Sequence, residues 1–261
     1  MSVLLLKLVL TPGLIGAATL AARRWGPGAG GWLVGLPLTS GPVAFFLAVD
    51  HGSRFAVASS TGSIGGAAAE AGFCLAYAAV GRRASWLAAI GAGSLGFVLA
   101  SVAIQPALTL PLAGEVAVVL GVLACSFAVI PPAGTRAIHS ESPRWDLPAR
   151  MVAGTAIVVL LTSIAPALGP HLTGLVAAFP VYAAVLAGFT HHLDGRAQAM
   201  EVLRGLLIGL VAFTGFFAVI NVTLEPFGLA VSFGAALVAA LLIQGTTLST
   251  QWILRPKPGS G

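Results

Sequence analysis

Apolar runs about as long as a bilayer crossing recur along the whole chain, and they leave it few ways to fold. The stretches from Val152 to Ala167 and from Gly228 to Gln244 are apolar on every side, without the alternation that gives a barrel strand one polar face. About 20 residues rising 1.5 Å each cross the roughly 30 Å of hydrocarbon, and a segment there satisfies its backbone alone only as a helix. Composition agrees. The chain is 57% hydrophobic and 8% charged over 261 residues, against roughly 25% charged in an ordinary globular chain, so it lacks the polar side chains to clothe a water-facing surface. The expected fold class is all-α, a polytopic transmembrane helix bundle.

Apolar length and Gly, Pro and charge punctuation place nine spans, at 3–21, 29–49, 55–80, 85–104, 108–130, 149–168, 171–190, 199–222 and 226–248. Residues 84–131 exceed two crossings, and Gln105, Pro106 and Pro111 punctuate their middle, so they read as two helices and a turn. Lys7 interrupts the first apolar run and Arg23 and Arg24 follow it, the wrong flank for a cleaved signal. Cys74 and Cys125 fall inside apolar runs and read as small buried hydrophobes.

Charge tests the count independently, because cytoplasmic loops collect Lys and Arg. With nine spans, Arg23, Arg24, Arg82, Arg83, Arg136, Arg144, Arg150, Arg196, Arg204, Arg255 and Lys257 share one side, leaving Lys7 and Arg54 of the 13 basic residues for the other. The N-terminus is therefore expected outside and the C-terminus in the cytoplasm. The +5 net charge reads as membrane orientation, and nucleic acid is not an expected partner. Three segments follow: 1–130, a first membrane repeat with a linking fifth helix; 131–148, a Pro- and Ser-bearing cytoplasmic connector; and 149–261, a second repeat.

The repeat is visible when the chain is slid against itself by 143 residues. Gly26-Pro27-x3-Gly31-x5-Pro37 then meets Gly169-Pro170-x3-Gly174-x5-Pro180, and Gly66 meets Gly209, Gly72 Gly215 and Phe73 Phe216. Helices 1–4 correspond to helices 6–9 around helix 5, so the second copy is expected upside down, a 4+1+4 inverted-topology repeat of the kind secondary transporters use. The segments Gly30-Gly31-Trp32-Leu33-Val34-Gly35-Leu36-Pro37 and Gly174-Leu175-Val176-Ala177-Ala178-Phe179-Pro180 resemble the Gly-apolar-Pro segments of the GlpM-like family of small bacterial inner-membrane proteins. Those proteins are about half this length, so this chain resembles two units fused. The resemblance implies a bacterial inner membrane and a link to envelope polysaccharide production, and it supplies no catalytic residues.

Pro37 and Pro42 bracket the centre of the second span, where each proline removes a helical hydrogen bond, so a break is expected there. Freed backbone groups and the Thr39 and Ser40 hydroxyls could line a polar cavity, with Pro180 marking the matching place in span seven; a plain packing kink is the simpler alternative. Glu70 lies near the middle of span three. A carboxylate facing lipid at that depth costs roughly 3 kcal/mol, so it is expected to face the interior. Ser63, Gly66, Glu70, Cys74 and Tyr77 recur on one helical face, and Gly62-x3-Gly66 is expected to admit a close helix neighbour, with this face toward span two.

Other candidates are weaker. Glu115 is expected to line an outer vestibule or to snorkel. Asn221 and Glu225 read as a polar cap, and Asp50, His51 and Arg54 as solvated loop residues. His191, His192 and Asp194 look like metal ligands but more simply read as solvated charge at a helix end. No metal and no cofactor are expected, and nothing in the order of residues points to an enzyme. The expected activity is a secondary carrier for a small solute, with Glu70 coupling a proton or touching the solute. The rival is a scaffold for envelope polysaccharide or lipid assembly. The bilayer is the one required partner, and a homo-oligomer or an envelope-assembly partner is compatible with either.

Overall fold

A computed structural model describes residues 3–38, 40–132, 143–164 and 179–254. Among these the regular structure is helical throughout: α1 (Val3–Trp25), α2 (Pro27–Val34), α3 (Ser40–His51), α4 (Ser53–Gly81), α5 (Trp86–Ala103), α6 (Leu112–Val129), α7 (Asp146–Ile164), α8 (Val181–Leu193) and α9 (Arg196–Leu254). A 3₁₀ turn, Gln105–Thr109, separates α5 from α6. Four stretches, Ser53–Gly81, Trp86–Thr109, Leu112–Val129 and Arg196–Thr247, are long and apolar enough to cross a bilayer. The chain is a helical membrane protein.

The nine α-helices among the described residues and the nine expected spans agree in number but not one to one. The span expected at 29–49 is divided between α2 and α3, whereas those at 199–222 and 226–248 are joined in α9. Residues 171–178 of the expected seventh span lie outside the described residues. Helix α9 is two arms meeting at Gly228, whose φ of 73° and ψ of 178° are non-helical and suit a residue without a Cβ. The second arm returns alongside the first. Trp32 of α2 lies with its carbonyl against Gly209 in the first arm and receives a 3.3 Å hydrogen bond there from Gln244 Nε2 of the second. In a straight helix, residues so far apart in sequence would be about 50 Å apart.

Hydrogen bonds and ion pairs sort the helix ends. Arg23, closing α1, meets Asp146, opening α7, at 3.0 Å; Arg150 Nη1 of α7 donates to Thr190 near the end of α8 at 3.2 Å; and Arg196, opening α9, donates to the Arg82 carbonyl just beyond α4 at 3.1 Å. Arg204 reaches from α9 to the carbonyls of Phe127 and Ile130 at the end of α6. Arg54 approaches Glu225 at the opposite end. The described basic residues are thus segregated as the sequence expects, with one end of the bundle carrying nearly all of them.

Helix α4 runs through the centre, burying Ile64, Ala67, Ala71, Phe73, Cys74 and Tyr77. Around it, α5, α6, α7 and the second arm of α9 turn residues such as Leu95, Leu99, Val152, Leu237 and Leu241 outward, as lipid contact requires. Lipid tails are as apolar as leucine, so helices in a bilayer gain by close backbone packing. Two glycine seams do this. A Cβ added to Gly31 or Gly205 would run into the carbonyl of Val202 or Gly28, and Gly35 lies against Gly209, which joins α2 to the first arm of α9. Between α4 and α5, a Cβ on Gly72 would lie 2.8 Å from the Gly96 carbonyl, and one on Gly96 2.6 Å from that of Gly72.

Candidate functional site

The expected break in the second span is present between α2 and α3. The Leu38 amide donates to the Leu36 carbonyl at 2.8 Å and the Gly41 amide to the Pro37 carbonyl at 2.9 Å, so Pro37 stands ahead of a new helix start and not inside a bent helix. Pro42 falls in the first turn of α3, where a missing N–H costs no intrahelical bond. It starts a helix and does not kink one. The same local geometry precedes α8: Val181 donates to Phe179 O at 2.8 Å and Ala184 to Pro180 O at 2.9 Å. Pro37 is buried and Ser40 half-buried, and Thr39 lies outside the described residues.

The two breaks face a common space. Leu36 and Leu38 from the first and Tyr182 from the second, with Leu14, Leu33 and Val34, enclose a void of about 10 Å³, room for about one water. Its walls are mostly apolar. The Tyr182 hydroxyl is already paired with Thr11 Oγ1 at 3.0 Å.

Glu70 is half-buried on α4 between the buried Ala69 and Ala71, and no described residue hydrogen-bonds its carboxyl. Its expected companions are engaged elsewhere. The Ser63 hydroxyl donates to Ser59 O within the same helix at 3.0 Å, and the Tyr77 hydroxyl pairs with His191 Nδ1 of α8 at 3.1 Å. Among the described residues no helix makes the close approach expected at Gly62-x3-Gly66, and none of them lies within 4 Å of a Cβ at either position; residues 170–177, which correspond to α2 at the 143-residue offset, lie outside the described residues. Helix α2 seats instead on α9, where its own glycines Gly31 and Gly35 meet Gly205 and Gly209. On the α4 face carrying Gly62, Ser63, Gly66 and Glu70, no described residue packs against the two glycines.

Glu115 does not snorkel. It is 1% exposed, and its Oε1 has no hydrogen-bond partner among the described residues. Asn221 is not a cap, since α9 continues past it to Gly228; its amide donates to Ser60 Oγ at 3.0 Å and Thr61 Oγ1 at 3.1 Å across the α4–α9 contact. His191 is buried against Tyr77 rather than solvated, and His192 lies beside the Trp86 ring. Asp50, His51 and Arg54 are exposed. No group of three potential ligands gathers to hold a metal among the described residues.

Sequence reasoning overlooked one cluster. Asp146 and Arg150, four residues apart on α7, pair at 2.6 Å with both side chains almost wholly buried. Arg23 is the second cation on Asp146, and Arg150 also lies over the Phe189 ring at 5.4 Å. The Asp-x3-Arg spacing was the legible signal; that the pair is buried depends on α1 and α8 closing over it. This cluster locks helix ends and offers no free group for chemistry. Set against known proteins, the chain matches no protein-family model, no curated protein and no solved structure.

Proposed function

We propose that the protein is a secondary carrier made of two inverted-topology halves, which moves a small solute past Glu70, with that carboxyl binding the solute or carrying a coupled proton. The observation that carries this reading is the packing of α4 against the first arm of α9. These helices correspond at the 143-residue offset, each opens behind a positive-φ glycine, Gly52 at 85° and Gly195 at 97°, and they lie antiparallel. Their contacts run from Arg82 with Arg196 at one end to Asn221 with Ser60 and Arg54 with Glu225 at the other. Corresponding residues come level near Ala68 and Val211, within one turn of Glu70. A carboxyl at the crossing of two inverted halves is where such carriers hold their cargo.

Further features support the duplication. Helices α1 and α7, which overlap at the offset, also lie antiparallel through Arg23 and Asp146. Three hydrogen bonds recur at the offset: Leu38–Leu36 with Val181–Phe179, Gly41–Pro37 with Ala184–Pro180, and Ala56–Gly52 with Ala199–Gly195. The resemblance to the GlpM-like proteins favours a bacterial inner membrane, and the charge pattern an outside N-terminus.

Cysteine labelling from either side tests the architecture: positions 23 and 169 are expected on opposite faces, and labelling from one face overturns the inversion. A metabolite panel, read as thermal stabilisation of purified protein, tests the activity. One compound class is expected to raise the melting midpoint in the wild type and not in Glu70→Gln; equal stabilisation of both removes Glu70 from the site. The small apolar-walled void between the breaks favours the rival scaffold reading, under which no compound stabilises and the protein instead co-purifies with an envelope-assembly partner.

A further inference from the structure

A larger hollow than the void between the breaks lies elsewhere on α4. It is a cleft of about 600 Å³ between α4, α5, the 3₁₀ turn and α6, and its lining is apolar at every position. Small residues form much of it: Ala68 and Gly72 from α4, Ala100 and Ala103 from α5, and Ala107 from the 3₁₀ turn, with Val118 of α6 along one side. The 3₁₀ turn makes the hollow, because a continuous α5 would carry its side chains past α6 instead of turning back and holding the two helices apart.

The surroundings decide the occupant. Leu99 and Val102 on α5 and Val118 and Leu120 on α6 point out of the bundle, so the cleft is continuous with the surface that meets hydrocarbon. Water gains no hydrogen-bonding side chain there, and a polar solute would be stripped of its hydration without replacement. A second helix, about 10 Å across with its side chains, is too thick to enter a hollow between neighbouring helices. One extended hydrocarbon chain is thin enough, and it restores the dispersion contacts that an empty cleft would forfeit.

We infer that this cleft is a binding site for one acyl chain of a membrane phospholipid, held between α4, α5 and α6 more firmly than the lipid around the rest of the bundle. The site is independent of the carrier reading and stands equally for a scaffold. The narrow residues Ala100, Ala103 and Ala107 are what keep it open; Ala100 also packs against Gly72 of the α4–α5 glycine seam, so the positions at which larger side chains fill the cleft away from that seam are Ala107 and Val118.

The test is photolabelling in nanodiscs by a phosphatidylcholine carrying a diazirine at mid-chain, with labelled peptides mapped by mass spectrometry. Label is expected to concentrate on 100–107 and 118–122, about tenfold above the second arm of α9 around Leu237 and Leu241, a ratio worth about 1.4 kcal/mol. Ala107→Phe and, separately, the outward-facing Val118→Phe are expected to bring it down to the level of that arm, with melting midpoint and elution volume unchanged; Leu241→Phe is the control expected to change nothing. Even labelling of all outward helices would overturn the site, leaving only surrounding lipid. Unchanged labelling in both filled variants would overturn it too, as would protein–protein crosslinks through 100–122, which would give the cleft to a second copy.

Discussion

Two glycine pairs 143 residues apart differ in their described surroundings. Gly205 and Gly209 on α9 receive the backbone of α2 so closely that neither has room for a methyl group, while no described residue lies within 4 Å of a Cβ on Gly62 or Gly66 at the corresponding turns of α4. The local sequence is alike, Gly-x3-Gly on a long apolar helix. What differs is the partner. On α9 the seat is taken by a helix that brings glycines of its own, Gly31 and Gly35, and two such stripes let main chains touch. On α4 no described helix takes the seat beside Glu70. A small-residue motif marks a surface able to receive a helix, and on α9 it does so where the partner brings a matching stripe.

Substitutions can break or sharpen this contrast. The largest effect is expected from Gly205→Leu, which drives four carbons into the Gly28 carbonyl: the folded protein should be lost, seen as aggregation on size-exclusion in detergent, and a monodisperse protein of unchanged midpoint would mean the seam is not closed. Asp146→Ala comes next. It leaves Arg150 buried without its carboxylate, which typically costs about 3–5 kcal/mol, read as a lower denaturation midpoint; Asp146→Asn, which keeps a hydrogen-bond acceptor, should cost less. Gly209→Ala places a methyl 2.5 Å from the Trp32 carbonyl and should cost about 1–3 kcal/mol as overpacking. The smallest change, opposite in sign, is expected from Gly62→Ala with Gly66→Ala, where no described residue stands in the way and the better helix propensity of alanine should stabilise by about 0.5–1 kcal/mol for each. A large loss there would mean that a partner covers this face of α4.

Much of the candidate site was legible one residue at a time and little of it as an arrangement. The interruption at Pro37 was readable because proline acts on its own backbone, whatever surrounds it. The role of Pro42 was misread, since a proline in a first turn and one in mid-helix look alike until the helix start is known. Glu70 was conspicuous as an acid in an apolar run. That Tyr77 turns away from it to His191, and that Asn221 bridges to Ser60 and Thr61, depends on helices more than 100 residues away in sequence. Asp146 went unremarked and Arg150 counted only as cytoplasmic charge, because nothing local tells that α1 and α8 cover them.

By itself the sequence determined the solvent of this protein, the helical class and the interruption at Pro37, because each follows from the length of its apolar runs and local backbone chemistry. Only the tertiary structure decided which helix seats on Gly205 and Gly209, which polar side chains meet and where a cleft opens between α4, α5 and α6. In a bilayer, hydrophobicity does not choose between one apolar helix face and another. That choice falls to shape and a few hydrogen bonds, and these exist only once the helices are side by side.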